Sequence, residues 1–88
     1  MSDEALELAE RRIKKLYTDL SITTAERGQY EFLVRQINTA IPATTWSLAK
    51  QTKATCTELR KHLRRMEKKG LVFSDSNGTN NILWRLAP

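Results

Sequence analysis

The sequence predicts a single, mainly α-helical domain that ends in a small β-hairpin. Three observations lead to this prediction. Apolar residues recur at helical spacing along much of the chain, Thr residues stand at three positions where they can cap helices, and two strand-like runs near the C-terminal end flank an Asn-Gly pair. A chain of 88 residues has the size of one domain and can bury one modest core.

The first helix is predicted from Asp3 to Leu20. Acidic residues at its start and Lys14 and Lys15 nearer its end complement the helix dipole. Its apolar residues recur at steps of three and four and form one seam, which predicts either a homodimer or a helix that folds back to complete a monomer's core. We expect the dimer, with residues 1–22 as a dimerisation element and 23–88 as the main domain. The seam consists of Leu6, Ala9, Ile13, Leu16 and Leu20.

The second helix begins after Thr23, because Thr23 and Glu26 have the spacing of a capping box. It is predicted to continue to about Asn38. The segment Ile41-Pro42-Ala43 then ends the helix in extended form. The residues expected to face inward are Tyr30, Leu33, Val34 and Ile37.

Two further helices follow, separated by a short break. Thr44 is placed to cap a helix from Thr45 to Gln51, and Thr55 is placed to cap a longer one that ends before Gly70. Lys53 and Ala54 form the tight connection between them. Apolar residues of the longer helix fall at Leu59, Leu63 and Met66. Two helices joined by so short a turn are typical of a helix-turn-helix.

The C-terminal segment is predicted to be a β-hairpin. Leu71-Val72-Phe73 and the run from Ile82 to Leu86 have the apolar, β-branched and aromatic composition of strands. Asn77-Gly78 between them favours a tight hairpin turn. The residues expected to face inward are Phe73, Ile82, Trp84 and Leu86.

Positive charge is concentrated in the second half of the helix-turn-helix. The net charge is +5 and the pI about 9.7, and seven of the fifteen Lys and Arg lie between Lys53 and Lys69, against two acids, Glu58 and Glu67. A basic helix that follows a tight turn fits the major groove of duplex DNA. The alternative is a solvated surface face that binds nothing.

Several functional classes are disfavoured by what the sequence lacks. One cysteine, Cys56, cannot form an internal disulfide, and the acidic start and the absence of a long apolar run argue against secretion or membrane insertion. Cys56 and His62 are expected on different faces of one helix, so we predict no metal site. No grouping of residues predicts catalysis or a cofactor. We therefore expect a cytoplasmic protein that is not an enzyme.

From Thr44 onward the chain resembles the winged-helix transcription regulators of bacteria and phages. The resemblance is carried by the Leu48-Ala49 pair, the Thr55 cap, the spacing of the apolar residues in the longer helix, and Gly70-Leu71-Val72, and it covers about Ala25 to Leu86. It implies a winged helix-turn-helix with an extra N-terminal helix. It also implies that the helix from Thr55 to Lys69 lies in the major groove.

The residues expected to contact DNA fall into three groups. In the basic helix, the resemblance implies exposed positions, with base contacts centred on Thr57, Arg60 and Lys61. Thr44 and Thr45, at the start of the shorter helix, are expected to meet phosphates, as are Lys53 and Arg64. The wing tip is expected to add weak polar contacts because it lacks Lys and Arg. The full set is Thr44, Thr45, Lys53, Thr55, Cys56, Thr57, Arg60, Lys61, Arg64, Asn77 and Thr79.

These features together predict a sequence-specific protein that binds double-stranded DNA and acts as a small transcription regulator. One alternative is a winged-helix module that binds another protein through its basic helix. Another is a DNA-architectural factor in recombination or replication. Trp46 is open to two interpretations, since it either packs against the N-terminal helix or contacts DNA or a partner.

Overall fold

The computed structural model describes residues 3–75 and 82–88. This part of the chain contains helices α1 (Asp3–Thr18), α2 (Thr24–Thr39), α3 (Thr45–Thr52) and α4 (Cys56–Lys68), followed by strands β1 (Val72–Asp75) and β2 (Leu83–Leu86). The prediction of a mainly helical domain with a small antiparallel sheet is confirmed. None of the helices described is both long and apolar enough to cross a membrane.

Thr residues begin three of the helices, as the sequence predicts. The hydroxyl oxygens of Thr23, Thr44 and Thr55 each accept a hydrogen bond of 3.1 Å from the backbone N–H three residues on. At α2 the capping box is complete, because the Thr23 N–H donates to the Glu26 carboxylate at 2.9 Å. This backbone hydrogen bond lowers the pKa of Glu26 below its ordinary value of 4.5. Each helix start is therefore fixed by its local sequence.

Three residues in left-handed conformation break the helical path. Leu20 (φ 60°) follows α1, Lys53 (φ 59°) ends α3, and Gly70 (φ 77°) follows α4. After α1 the Ser21 N–H turns back to the Leu16 carbonyl at 2.8 Å, which closes the helix two residues earlier than predicted. The tight connection at Lys53 is confirmed, because its N–H donates to the Ala49 carbonyl.

The core lies where α1, α2, α3, α4 and the hairpin meet. Ala9 and Ile13 of α1 are completely buried in it, and Leu6 and Leu16 pack against it. Leu20 is 89% exposed. The premise of the dimer prediction, a seam left unburied by the single chain, is therefore wrong, and the dimer stays a prediction without that support. The buried residues of α2 are those predicted: Tyr30, Leu33, Val34 and Ile37.

The two strands pair antiparallel, with Val72 opposite Leu86 and Asp75 opposite Leu83. On its other side β2 is covered by the segment before α3, because the backbone N–H of Trp84 donates to the Ala43 carbonyl at 2.8 Å. Trp84 is buried as predicted. Phe73 is 39% exposed, so its predicted inward orientation is wrong. Val72 takes the inward place instead, because side chains alternate along a strand and only one of two neighbours can face the core.

An arginine of α1 is hydrogen-bonded to the two residues that follow β2. The Arg12 guanidinium donates to the carbonyl oxygens of Pro88 at 2.6 Å and Ala87 at 3.2 Å. The Ala87 N–H in turn donates to the Leu71 carbonyl at 3.0 Å, beside β1. Helix α1 is therefore joined to the hairpin by polar contacts as well as by its apolar seam.

Candidate nucleic-acid interface

The outer face of α4 is a continuous basic surface. Its opposite face buries Leu59, Leu63 and Met66, which fixes the helix on the core and turns the remaining positions outward. Six side chains line one shallow depression on this exposed face: Thr57, Arg60, Lys61, Arg64, Arg65 and Lys68. We call these six residues the basic face.

The structure brings together four residues that the sequence predicted for this interface: Thr57, Arg60, Lys61 and Arg64. Arg65 and Lys68 belong to the same surface and were missed. Helical spacing could have found them, because residues four apart share one side of a helix and these two follow Lys61 and Arg64 at that interval. A helix of thirteen residues is about 20 Å long, so the charges extend over more than one helical turn.

Most of the charge on the basic face has no acidic partner. Among the residues that the structure describes, Arg60, Lys61, Arg65 and Lys68 form no salt bridge within 4.0 Å, and all four are exposed. Like charges held this close on a rigid helix repel each other in the unbound protein. The repulsion falls when a polyanion binds, so this surface is electrostatically suited to one.

Arg64 is the exception. Its Nη1 lies 2.7 Å from Glu67 Oε1, and its guanidinium carbon lies 5.1 Å from the centre of the Trp84 ring. The same Nη1 lies 3.4 Å from the Ser74 hydroxyl. An ion pair and an aromatic ring therefore hold this side chain against the hairpin.

Glu67 connects α4 to β1. Its second carboxylate oxygen, Oε2, accepts from the Ser74 N–H at 3.1 Å and from the Ser74 hydroxyl at 2.9 Å. The hydrogen bond from Arg64 and those from Ser74 lower the pKa of Glu67 below its ordinary value of 4.5. In the sequence, Glu67 is notable only as one of two acids among the seven basic residues of this segment. In the structure, Glu67 also accepts from the backbone N–H of Ser74, which points away from β2 on the outer edge of the small sheet.

The predicted phosphate contact of Thr45 is wrong. Thr45 was expected to meet a phosphate, but it is 3% exposed, and its hydroxyl oxygen accepts from the Trp84 indole N–H at 2.8 Å. Trp84 is itself 1% exposed. A buried indole requires a partner of this kind, so Thr45 serves the interior of the domain.

Thr44 is also engaged within the chain. Its hydroxyl accepts from the Ser47 N–H and donates to the Ser47 hydroxyl at 3.0 Å. Thr55 and Lys53, at the start of α4 and at the turn, are exposed as expected. Cys56 was expected to be exposed but is partly buried against the core.

An exposed tryptophan lies at the start of α3. Trp46 is 57% exposed, and the Lys50 Nζ lies 4.9 Å from the centre of its ring. This exposure disfavours the interpretation in which Trp46 packs against α1. The predicted wing-tip contacts, Asn77 and Thr79, lie outside the described residues.

Comparison with known proteins gives no match: no family model, no curated protein and no solved structure matches the chain. What the basic face can bind therefore follows from its own geometry and charge alone.

Proposed function

We propose that this chain is a winged helix-turn-helix domain with an additional N-terminal helix, and that it binds double-stranded DNA with α4 in the major groove. The observation that carries the proposal is the basic face. Its Arg and Lys residues lie on one side of a helix whose other side is buried, and all but Arg64 lack an acidic partner among the described residues.

Three features of the fold support this proposal. A left-handed residue, Lys53, makes the tight turn before α4, so α3 and α4 are held as a compact pair. The hairpin follows α4 directly and packs beside it. Arg60 and Lys61 of the basic face lie in the N-terminal half of α4, where recognition helices of winged helix-turn-helix proteins contact bases. Arg65 and Lys68 are then placed for phosphates.

The proposed role is that of a small transcription regulator that acts by occupying its site. An architectural role would differ in one measurable way, since it requires the duplex to be bent. Fluorescence energy transfer between the two ends of a bound duplex distinguishes these roles.

Titration of a fluorescent duplex at two salt concentrations tests the proposal, followed by selection of a preferred site. We expect Arg60→Ala or Lys61→Ala to weaken a preferred site by about 1 to 3 kcal/mol if either residue makes a paired contact to guanine. Matched controls are Lys14→Ala and Lys15→Ala, which remove the same charge from exposed positions of α1. Equal losses in controls and test variants would indicate attraction by net charge alone.

A protein-binding module is the second candidate, favoured by one observation. An apolar depression lies between the end of α2 and the hairpin and shares no lining residue with the basic face. It includes Ile41, which is 97% exposed, and Phe73. Exposed apolar surface of this kind is common at protein interfaces. A wild-type protein with no salt-sensitive affinity for any duplex would exclude the DNA proposal and favour this one.

A further inference from the structure

The ion pair between Arg64 and Glu67 lies within the surface proposed to bind DNA. The cations of that surface are therefore of two kinds, paired and unpaired. Arg60, Lys61, Arg65 and Lys68 project from α4 with no ion pair in the described part of the chain. Arg64 occupies a position between them in sequence, yet its guanidinium is 2.7 Å from a carboxylate on the same helix.

Four contacts fix this ion pair in place. Glu67 is held by both the N–H and the hydroxyl of Ser74, and Arg64 lies over the ring of Trp84. Trp84 in turn is anchored by its hydrogen bond to Thr45. Side chains of α3, α4, β1 and β2 thus form one connected network that holds the Arg64 guanidinium beside Glu67.

We propose that Arg64 is a positioning residue of the interface and not a DNA ligand, and that Glu67 keeps it from binding DNA. This inference rests on the proposed function. The carboxylate neutralises the guanidinium through its Nη1, as a phosphate would. The pair then fixes the angle between α4 and the hairpin, while the unpaired cations of the basic face make the contacts with DNA.

Counterion release gives a direct measure of this distinction. Each phosphate neutralised by a protein cation on B-DNA contributes about 0.9 to the slope of log affinity against log salt concentration. A cation already neutralised by a carboxylate contributes nothing to this slope. Arg64→Gln replaces the guanidinium by a shorter, uncharged side chain that retains an N–H donor, and the slope should stay at its wild-type value. Arg65→Gln, at an unpaired position placed for a phosphate, should lower it by about 0.9.

The reverse substitution tests the role of Glu67. Glu67→Gln retains an oxygen that can accept from Ser74, but it removes the charge that holds Arg64, so the slope should rise by about 0.9. Glu58→Gln is the matched control. It removes the same charge from the same helix at an exposed position with no salt bridge in the described residues, and it should leave the slope unchanged. In Arg64→Gln/Glu67→Gln the slope should return to the wild-type value.

Fluorescence anisotropy titrations of the full chain on one duplex across a range of salt concentrations provide these slopes, with circular dichroism to establish that each variant is folded at the temperature used. A slope that falls in Arg64→Gln as much as in Arg65→Gln would overturn the inference, as would Glu58→Gln and Glu67→Gln giving equal slopes. These results are distinct from failure of the proposed function itself, in which the wild-type protein shows no salt-dependent binding and both proposals are wrong.

Discussion

The hydrogen bond between Thr45 and Trp84 should contribute strongly to stability, because both groups are buried. Thr45→Val keeps the shape of the side chain and removes its oxygen, which leaves the Trp84 indole N–H without its 2.8 Å partner. A buried donor left unsatisfied costs about 1 to 3 kcal/mol. For a domain of this size, a loss of about 2 kcal/mol lowers Tm by roughly 8 to 16 °C. Urea and thermal denaturation followed by circular dichroism measure both quantities.

Two comparisons separate this hydrogen bond from the effects of packing. Thr45→Ser retains the hydroxyl and should lose less stability than Thr45→Val. In a double-mutant cycle with Trp84→Phe, the combined loss should be smaller than the sum of the single losses, with a coupling of at least about 0.5 kcal/mol. Additive losses, or a cost below about 0.5 kcal/mol for Thr45→Val, would refute the reasoning.

The remaining predictions concern the seam of α1, the turn before α4 and the response to acid. Ile13→Ala should cost about 2 to 5 kcal/mol, because the side chain is completely buried, whereas Leu20→Ala should change stability by under about 0.5 kcal/mol. Sedimentation should show no change of oligomeric state in either variant, and a folded Ile13→Ala that becomes monomeric from a dimer would contradict this. Lys53→Asn keeps a residue that tolerates the left-handed conformation, so its Tm should stay near the wild-type value while the salt slope of DNA binding falls by about 0.9. Because the pKa of Glu67 is lowered in the folded state, its contribution to stability is present above the ordinary pKa of 4.5 and is lost as the pH falls through the folded value; Glu67→Gln should flatten this acid limb in urea denaturation.

The sequence was a good guide to whatever depends on neighbouring residues. The capping box at Thr23 and the caps at Thr44 and Thr55 were predictable, because an N-cap requires a hydroxyl a few positions before a helical apolar pattern. The buried faces of α2 and α4 were predictable for a similar reason, since helical periodicity alone determines which residues share a side.

Contacts between distant segments were less predictable. The seam of α1 indicates only that Ile13 must be buried, and the same pattern is satisfied by a second chain or by the rest of its own. The partner of Trp84 was required by its indole N–H, but its identity as Thr45 depends on how β2 meets the start of α3. Phe73 was placed on the wrong side of β1 because the sequence leaves the phase of so short a strand undetermined.

The candidate site was likewise predictable only in part, as the hydroxyl protons of its Thr residues show. An N-cap oxygen accepts from the backbone and keeps its own proton, so capping alone does not prevent a Thr from donating to a phosphate. Thr44 gives that proton to Ser47, and Thr45 is buried against Trp84. Thr55 caps α4 and is exposed, and no acceptor for its proton lies within the described residues. Among Thr44, Thr45 and Thr55, which all belong to the predicted interface, only Thr55 therefore retains both the exposure and the proton that a phosphate contact requires.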